Sequence, residues 1–203
     1  MKETIGQNGA GAARAGKFLT VKEMVLIAVM AALICIAAPF SVPIGLVPIS
    51  LATFAVYLAG GLLGWKKGTL AVLIYVLLGA VGLPVFSGGA GGFAKLFGVT
   101  GGYIVGYIPC VLIGGLFVDL FYKRSKETRN PVLNGAWSIP AGMILGTVVL
   151  YAFGTVWFVI ARGVTLETAL ASCVIPFLTG DAIKIVCATI LTVILRDRLG
   201  RLM

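Results

Sequence analysis

The chain has 203 residues, 60% of them hydrophobic and 11% charged, with 28 glycines and no histidine. Soluble domains run at about 45–50% apolar and about 25% charged residues, so this composition, with a mean hydropathy of +1.08, excludes a globular cytosolic enzyme and a disordered chain. The formal net charge of +9 would suit a nucleic-acid binder, and the placement of the charges decides that question.

Residues 1–20 are mixed, basic and rich in glycine and alanine, and no cleavage site follows a short apolar core. They read as a flexible N-terminal tail rather than a signal peptide. From Met24 to Trp65 the chain carries no charge for 42 residues, too long for one span of about 20 residues. Pro39, Pro43 and Pro48 with Gly45 divide it into helices over about 24–38 and 49–64. The next uncharged tract, 68–94, begins as a helix (TLAVLIYVLLGAVG) and dissolves into PVFSGGAGGF. A fourth span is expected over about 101–121, a fifth within 135–160 and a sixth over about 170–195. The expected fold is an all-α integral membrane protein of six transmembrane helices over 21–198, with a C-terminal tail at 199–203. A Gly-rich extracellular loop joins helices 3 and 4.

Thirteen of the sixteen basic residues fall on one side of this plan: Lys2, Arg14, Lys17, Lys22, Lys66, Lys67, Lys123, Arg124, Lys126, Arg129, Arg196, Arg198 and Arg201. Lys95 and Arg162 fall on the other, and Lys184 lies inside a span. The positive-inside rule then puts both termini in the cytoplasm. The +9 is a topology signal, not a nucleic-acid footprint. Four cysteines stand apart in apolar surroundings without a CxxC, and the missing histidine removes serine–histidine–aspartate and histidine-ligated zinc chemistry. Small-residue pairs Ala28/Ala32, Gly60/Gly64, Gly102/Gly106 and Gly142/Gly146 are spaced for close helix packing, chiefly within the chain.

Two segments carry the functional signal. In 79–103, nine of 25 residues are glycine, yet Phe86, Phe93, Phe97 and Tyr103 are there too. A permissive backbone with large aromatics suits a loop capping a cavity. No GxxxxGK[ST] is present, so nothing marks a nucleotide site. In PFLTGDAIKIV (176–186), Asp181 and Lys184 share one helix face at i, i+3. Facing lipid, each would cost about 2.5–3.5 kcal/mol, so they are expected to face a cavity. Lys184 is then available to an anionic group, and Asp181 to ligand N–H donors or to orienting the lysine. Expected of the ligand are small size, mostly apolar surface and one anionic group.

Three blocks in order, SVPIGLVPISLATFAVYLAGGLLGWKKG (41–68), GAVGLPVFSGGAGGF…GVTGGYIVGY (79–107) and PFLTGDAIK (176–184), resemble the BioY family. These are the biotin-binding S components of energy-coupling-factor (ECF) transporters. The resemblance spans residues 24–195 and implies a multi-pass subunit of a prokaryotic cytoplasmic membrane that captures biotin with high affinity and is not an enzyme. It also implies partners: a transmembrane coupling subunit (EcfT- or BioN-like) and a pair of ABC-type ATPases (EcfA- or BioM-like). No cofactor is implied; biotin is the ligand. The family's GDxxK element maps onto Gly180, Asp181 and Lys184. Its GLPVF and TGGY elements map onto Gly82 to Phe86 and onto Thr100, Gly101, Gly102 and Tyr103. The expected biotin site is Phe86, Gly88, Phe93, Lys95, Thr100, Gly101, Gly102, Tyr103, Asp181 and Lys184. Phe86, Phe93 and Tyr103 are to pack on the rings, Lys184 or Lys95 is to meet the carboxylate, and Asp181 is to hold the ureido end or Lys184. Ala28 and Ala32 match the small residues that contact the coupling subunit. Val99, Ala52 and Thr179 depart from the residues common in the family at those positions. The competing readings are an S component or small carrier for another vitamin-like solute, a structural membrane subunit and, from a different class, a membrane enzyme.

Overall fold

The computed structural model describes residues 19–44, 47–125 and 137–200. Residues 1–18 of the expected N-terminal tail, Lys126 and Arg129 of the basic loop, and 201–203 lie outside these. Helix α1, Val21–Ala37, opens on a capping box in which Thr20 accepts from the Glu23 amide and Glu23 accepts from the Thr20 amide at 2.8 Å. It stops short of Pro39, as a pre-proline position favours.

The stretch read as a mere proline break is a β-hairpin, β1 (Ser41–Ile44) against β2 (Val47–Ser50), with Ser41 opposite Ser50. Pro43 faces Pro48 across it. Two prolines are tolerated there because a two-stranded ribbon has only edges, whose outward N–H groups pair with nothing. The second span therefore begins at Ala52 rather than 49. Ser50 sets that start: its Oγ accepts from the Ala52 amide at 2.9 Å and donates to the Ala38 carbonyl at 2.8 Å.

Helix α2, Ala52–Ala80, is broken at Gly64, where φ is 75° and ψ −177°. After the break the chain doubles back: a Cβ on Gly68 would lie 2.7 Å from the Ala59 carbonyl oxygen, whereas nine residues of straight helix span about 13.5 Å. The two arms correspond to the second and third expected spans, divided at Lys66 and Lys67. A single turn, α3 (Phe93–Leu96), precedes α4 (Gly101–Ser125) and α5 (Ser138–Arg162). The sixth tract, expected as one span from about 170, is two helices, α6 (Leu166–Cys173) and α7 (Ile175–Gly200). Pro176 forces the division, because its missing amide is harmless only within the first turn of a helix.

Among the described residues, four helices, Ala52–Ala80, Gly101–Phe121, Ser138–Arg162 and Ile175–Arg196, are long and apolar enough to cross a membrane. The chain is an α-helical multi-pass membrane protein. Its outer surface agrees, with Val29, Ile36, Leu77, Val148, Ile160, Ile183 and Val186 exposed, as lipid contact requires. Without a hydrophobic drive between helices in lipid, association rests on close backbone approach and polar contacts. Helices α4 and α5 use the first: a Cβ on Gly142 would lie 2.8 Å from the Gly114 carbonyl oxygen, and one on Gly146 2.6 Å from that of Cys110. Apart from the Tyr57–Thr147 hydrogen bond at 2.6 Å, the main polar side-chain contacts fall at the two ends of the bundle. One end holds the start of α1 and the Gly64 turn, where Lys67 Nζ meets Glu23 at 2.8 Å. The other holds the hairpin, the 81–100 loop and Asp181.

Candidate ligand site

The glycine-rich loop folds back on the second arm of α2. Phe86 bridges to Ala90, the Gly92 amide donates to the Gly79 carbonyl at 2.7 Å, and Phe86 is fully buried edge-on to Tyr75, with ring centres 5.6 Å apart. Its ring covers Gly79 so closely that a Cβ there would overlap it. Phe86 is the loop's anchor. Trp157 of α5 holds the far end of the loop by donating to the Gly98 carbonyl at 3.0 Å.

Between this loop, the hairpin and helices α2, α4, α5 and α7 lies a cleft with about 500 Å³ of space free of atoms, part of it open to solvent. Its polar wall is built on α7. Asp181 Oδ1 accepts from Lys184 Nζ at 2.9 Å and from Thr53 Oγ1 at 3.2 Å, and Oδ2 accepts from the Tyr151 hydroxyl at 2.6 Å. Lys184 Nζ also donates to the Ser50 carbonyl at 2.7 Å and to Thr53 Oγ1 at 2.9 Å. Both side chains are nearly buried, Lys184 at 11% and Asp181 at 5% exposure.

An ammonium has three protons and no acceptor. Those of Lys184 go to Ser50, Thr53 and Asp181, so its charge is compensated and its donors are all engaged. The unused capacity of this wall is acceptor capacity, on Asp181 Oδ2 and the Tyr151 oxygen. The hydroxyls of Ser87, Thr100 and Tyr107, also in the lining, make no hydrogen bond among the described residues and are donors in waiting. One side of the cleft thus reads N–H groups and another offers O–H groups.

Of the sequence-derived residues, the structure brings Thr100, Tyr103, Asp181 and Lys184 together in this lining. Phe86, Gly88, Phe93, Lys95, Gly101 and Gly102 are not part of it; Phe93 is 63% exposed. A Cβ on Gly102 would overlap Trp157, so that glycine seats α4 against α5. Ala28 and Ala32 lie on the exposed face of α1 beside Val25 and Val29. Sequence reasoning missed Ser50, Thr53, Ser87, Tyr107 and Tyr151. The one signal open to it was the hydroxyl pair Thr147 and Tyr151, one turn apart in an apolar span. Thr147 receives Tyr57 at 2.6 Å and Tyr151 reaches Asp181.

The model of the BioY family matches residues 10–201. This chain belongs to the BioY family. It is 38% identical over 173 residues to the probable biotin transporter BioY of Pyrococcus horikoshii, covering 85% of this chain and 95% of that protein. To the biotin transporter BioY of Thermotoga maritima it is 37% identical over 177 residues, covering 87% and 96%. Among solved structures it matches the S-component for biotin from an ECF-type ABC transporter with a TM-score of 0.77 and 32% identity, over 89% of this chain and 95% of that one.

Proposed function

We propose that this chain is the high-affinity biotin-binding S component of an ECF-type vitamin transporter, a binding subunit and not an enzyme. The observation that carries the reading is the buried Asp181–Lys184 pair in the wall of the cleft, in a chain of BioY descent. Biotin has a ureido group that donates two N–H bonds, an apolar bicycle and a carboxylated tail. The ureido N–H edge goes to Asp181 Oδ2, the bicycle packs against Tyr103, and the carboxylate is met by the hydroxyls of Ser87, Thr100 and Tyr107. With every proton of Lys184 already engaged, the lysine orients Asp181 as an acceptor rather than meeting the carboxylate. Phe86 serves from behind, by fixing the loop that carries Ser87.

The membrane plan that goes with this has six spans, counting the arms of α2 separately, with both termini and the Gly64 turn in the cytoplasm. The cleft then opens outward, towards the vitamin. The exposed Ala28/Ala32 face of α1 meets the transmembrane coupling subunit, which carries the ATPase pair, in a prokaryotic cytoplasmic membrane. Removing the hydroxyl that charges its bond to Asp181 costs about 1.5–3 kcal/mol. Tyr151→Phe is therefore expected to weaken biotin binding at least tenfold with the protein still folded, as read by titration calorimetry.

The direct test is calorimetry of the detergent-purified chain with biotin, desthiobiotin, thiamine and riboflavin. Heat with biotin and desthiobiotin alone is expected, since both keep the ureido edge. Binding of thiamine or riboflavin in preference to biotin would overturn the assignment.

A further inference from the structure

Helix α7 carries Asp181 and Lys184, yet it is the least enclosed of the long helices. Only 17% of the apolar stretch of Ile175–Arg196 is buried, against 50% for Ala52–Ala80. Its outward side chains, Ile183, Val186, Ile190 and Ile194, are exposed, and between its ends it meets the bundle through small residues such as Ala188 and Thr192, both fully buried. A lipid-facing helix of that kind is located chiefly by its polar contacts. The first set is the Asp181–Lys184 wall. The second is at the opposite end, where Arg196 donates to Asp119 Oδ1 of α4 at 2.6 Å and to the Gly61 carbonyl of α2.

That second contact is built around the break in α2. A helix interruption strands carbonyls before it and amides after it, and within a membrane these need partners. Asp119 Oδ2 takes the Trp65 amide at 3.1 Å, just after the break, and Arg196 takes the Gly61 carbonyl, just before it. The carboxylate sits where any side chain at Gly64 would be. Arg196 has the forked guanidinium that two such acceptors need; a lysine ammonium does not.

We propose that Arg196 and Asp119 are remote positioning residues of the ligand site. By pinning the inner end of α7 to the broken end of α2, they set the rotation and height at which Asp181 and Lys184 meet Thr53. Arg196 lies twelve residues from Lys184, about 18 Å along the helix, and Gly61 eight residues from Thr53, about 12 Å. Both members of the site's polar wall are thus carried on helices that this one ion pair fastens together. Losing either charge loosens α7 at that end and lets Asp181 and Lys184 shift against Thr53.

The inference rests on the biotin reading for its affinity readout, and a second readout is independent of it. Arg196→Gln and Asp119→Ala are each expected to raise the biotin Kd at least tenfold. Ile27→Ala, at a buried residue of α1, a helix with no side chain in the cleft lining, is expected to lower the melting temperature and leave Kd within twofold. If either charge variant fails to fold, Arg196→Lys and Asp119→Asn take its place with the same expectation. Without ligand, hydrogen exchange in peptides covering residues 50–57 and 178–186 is expected to quicken in Arg196→Gln. Unchanged Kd in the charge variants, or equal weakening by Ile27→Ala, overturns the proposal, as does unchanged exchange at the outer end. A wild-type protein that ignores biotin overturns the biotin reading, and the exchange comparison then decides this one alone.

Discussion

Lys184→Met is expected to abolish biotin binding and to destabilise the protein by about 3–5 kcal/mol, the cost of leaving a buried charge without its partner. Asp181→Asn behaves alike, because it strands the ammonium among Ser50 and Thr53. The double variant Asp181→Asn/Lys184→Met recovers most of the lost stability while remaining unable to bind, since a buried pair replaced as a whole is nearly neutral. Melting curves in detergent beside calorimetric titrations check both halves. A double variant no more stable than either single one would mean that the two charges are not coupled in the fold. Retained affinity in the double variant would remove the pair from the ligand site.

The second large effect belongs to Gly64. Its φ of 75° with ψ of −177° lies in a region that is essentially glycine's alone, at a cost of about 1–3 kcal/mol for other residues. The added methyl also overlaps Asp119, dislodging the carboxylate that caps Trp65 and pairs with Arg196. Gly64→Ala is expected to lose more stability than Gly89→Ala, whose φ is 70° but whose Cβ would meet nothing within 4 Å. Thermal unfolding of the two variants side by side measures the difference. Equal losses would show that strain alone acts at Gly64.

Much of the architecture was legible because lipid imposes simple rules. The basic residues Lys66 and Lys67, and those from Lys123 to Arg129, delimit apolar tracts, and the glycine-rich sequence after Ala80 marks the end of a helix. The proline-rich stretch after α1 was not legible as a hairpin. A proline stops a helix wherever it stands, and whether the interrupted residues pair with each other depends on register, which here is set by Ser50 and its bond to Ala38. Val174 likewise closes α6 inside a tract that periodicity reads as continuous, with Pro176 as its signal.

In the site, Asp181 and Lys184 stood out because two charges in an apolar helix are costly without a reason. Thr53, Ser50 and Tyr151 did not, because a lone hydroxyl in a span is unexceptional. Their meaning comes from contacts that join positions 128, 134 and 30 residues apart. The aromatics of the glycine-rich loop were legible as large residues in a small-residue setting, but not their directions. Phe86 points inward to Tyr75 while Phe93 and Phe97 are exposed.

The glycine seam between α4 and α5 has a practical consequence. Where Gly142 and Gly146 lie against the backbone of Gly114 and Cys110, little can change rotamer, so the two helices are expected to behave as a single stiff keel and supply a natural frame of reference. Spin or fluorescent labels at Val148 and Val156, both exposed on α5, would report how the whole body tilts in a bilayer. A label at Val186, exposed on α7, would report movement relative to that keel. Paired measurements from the two helices separate rigid tumbling of the subunit from opening of its cleft.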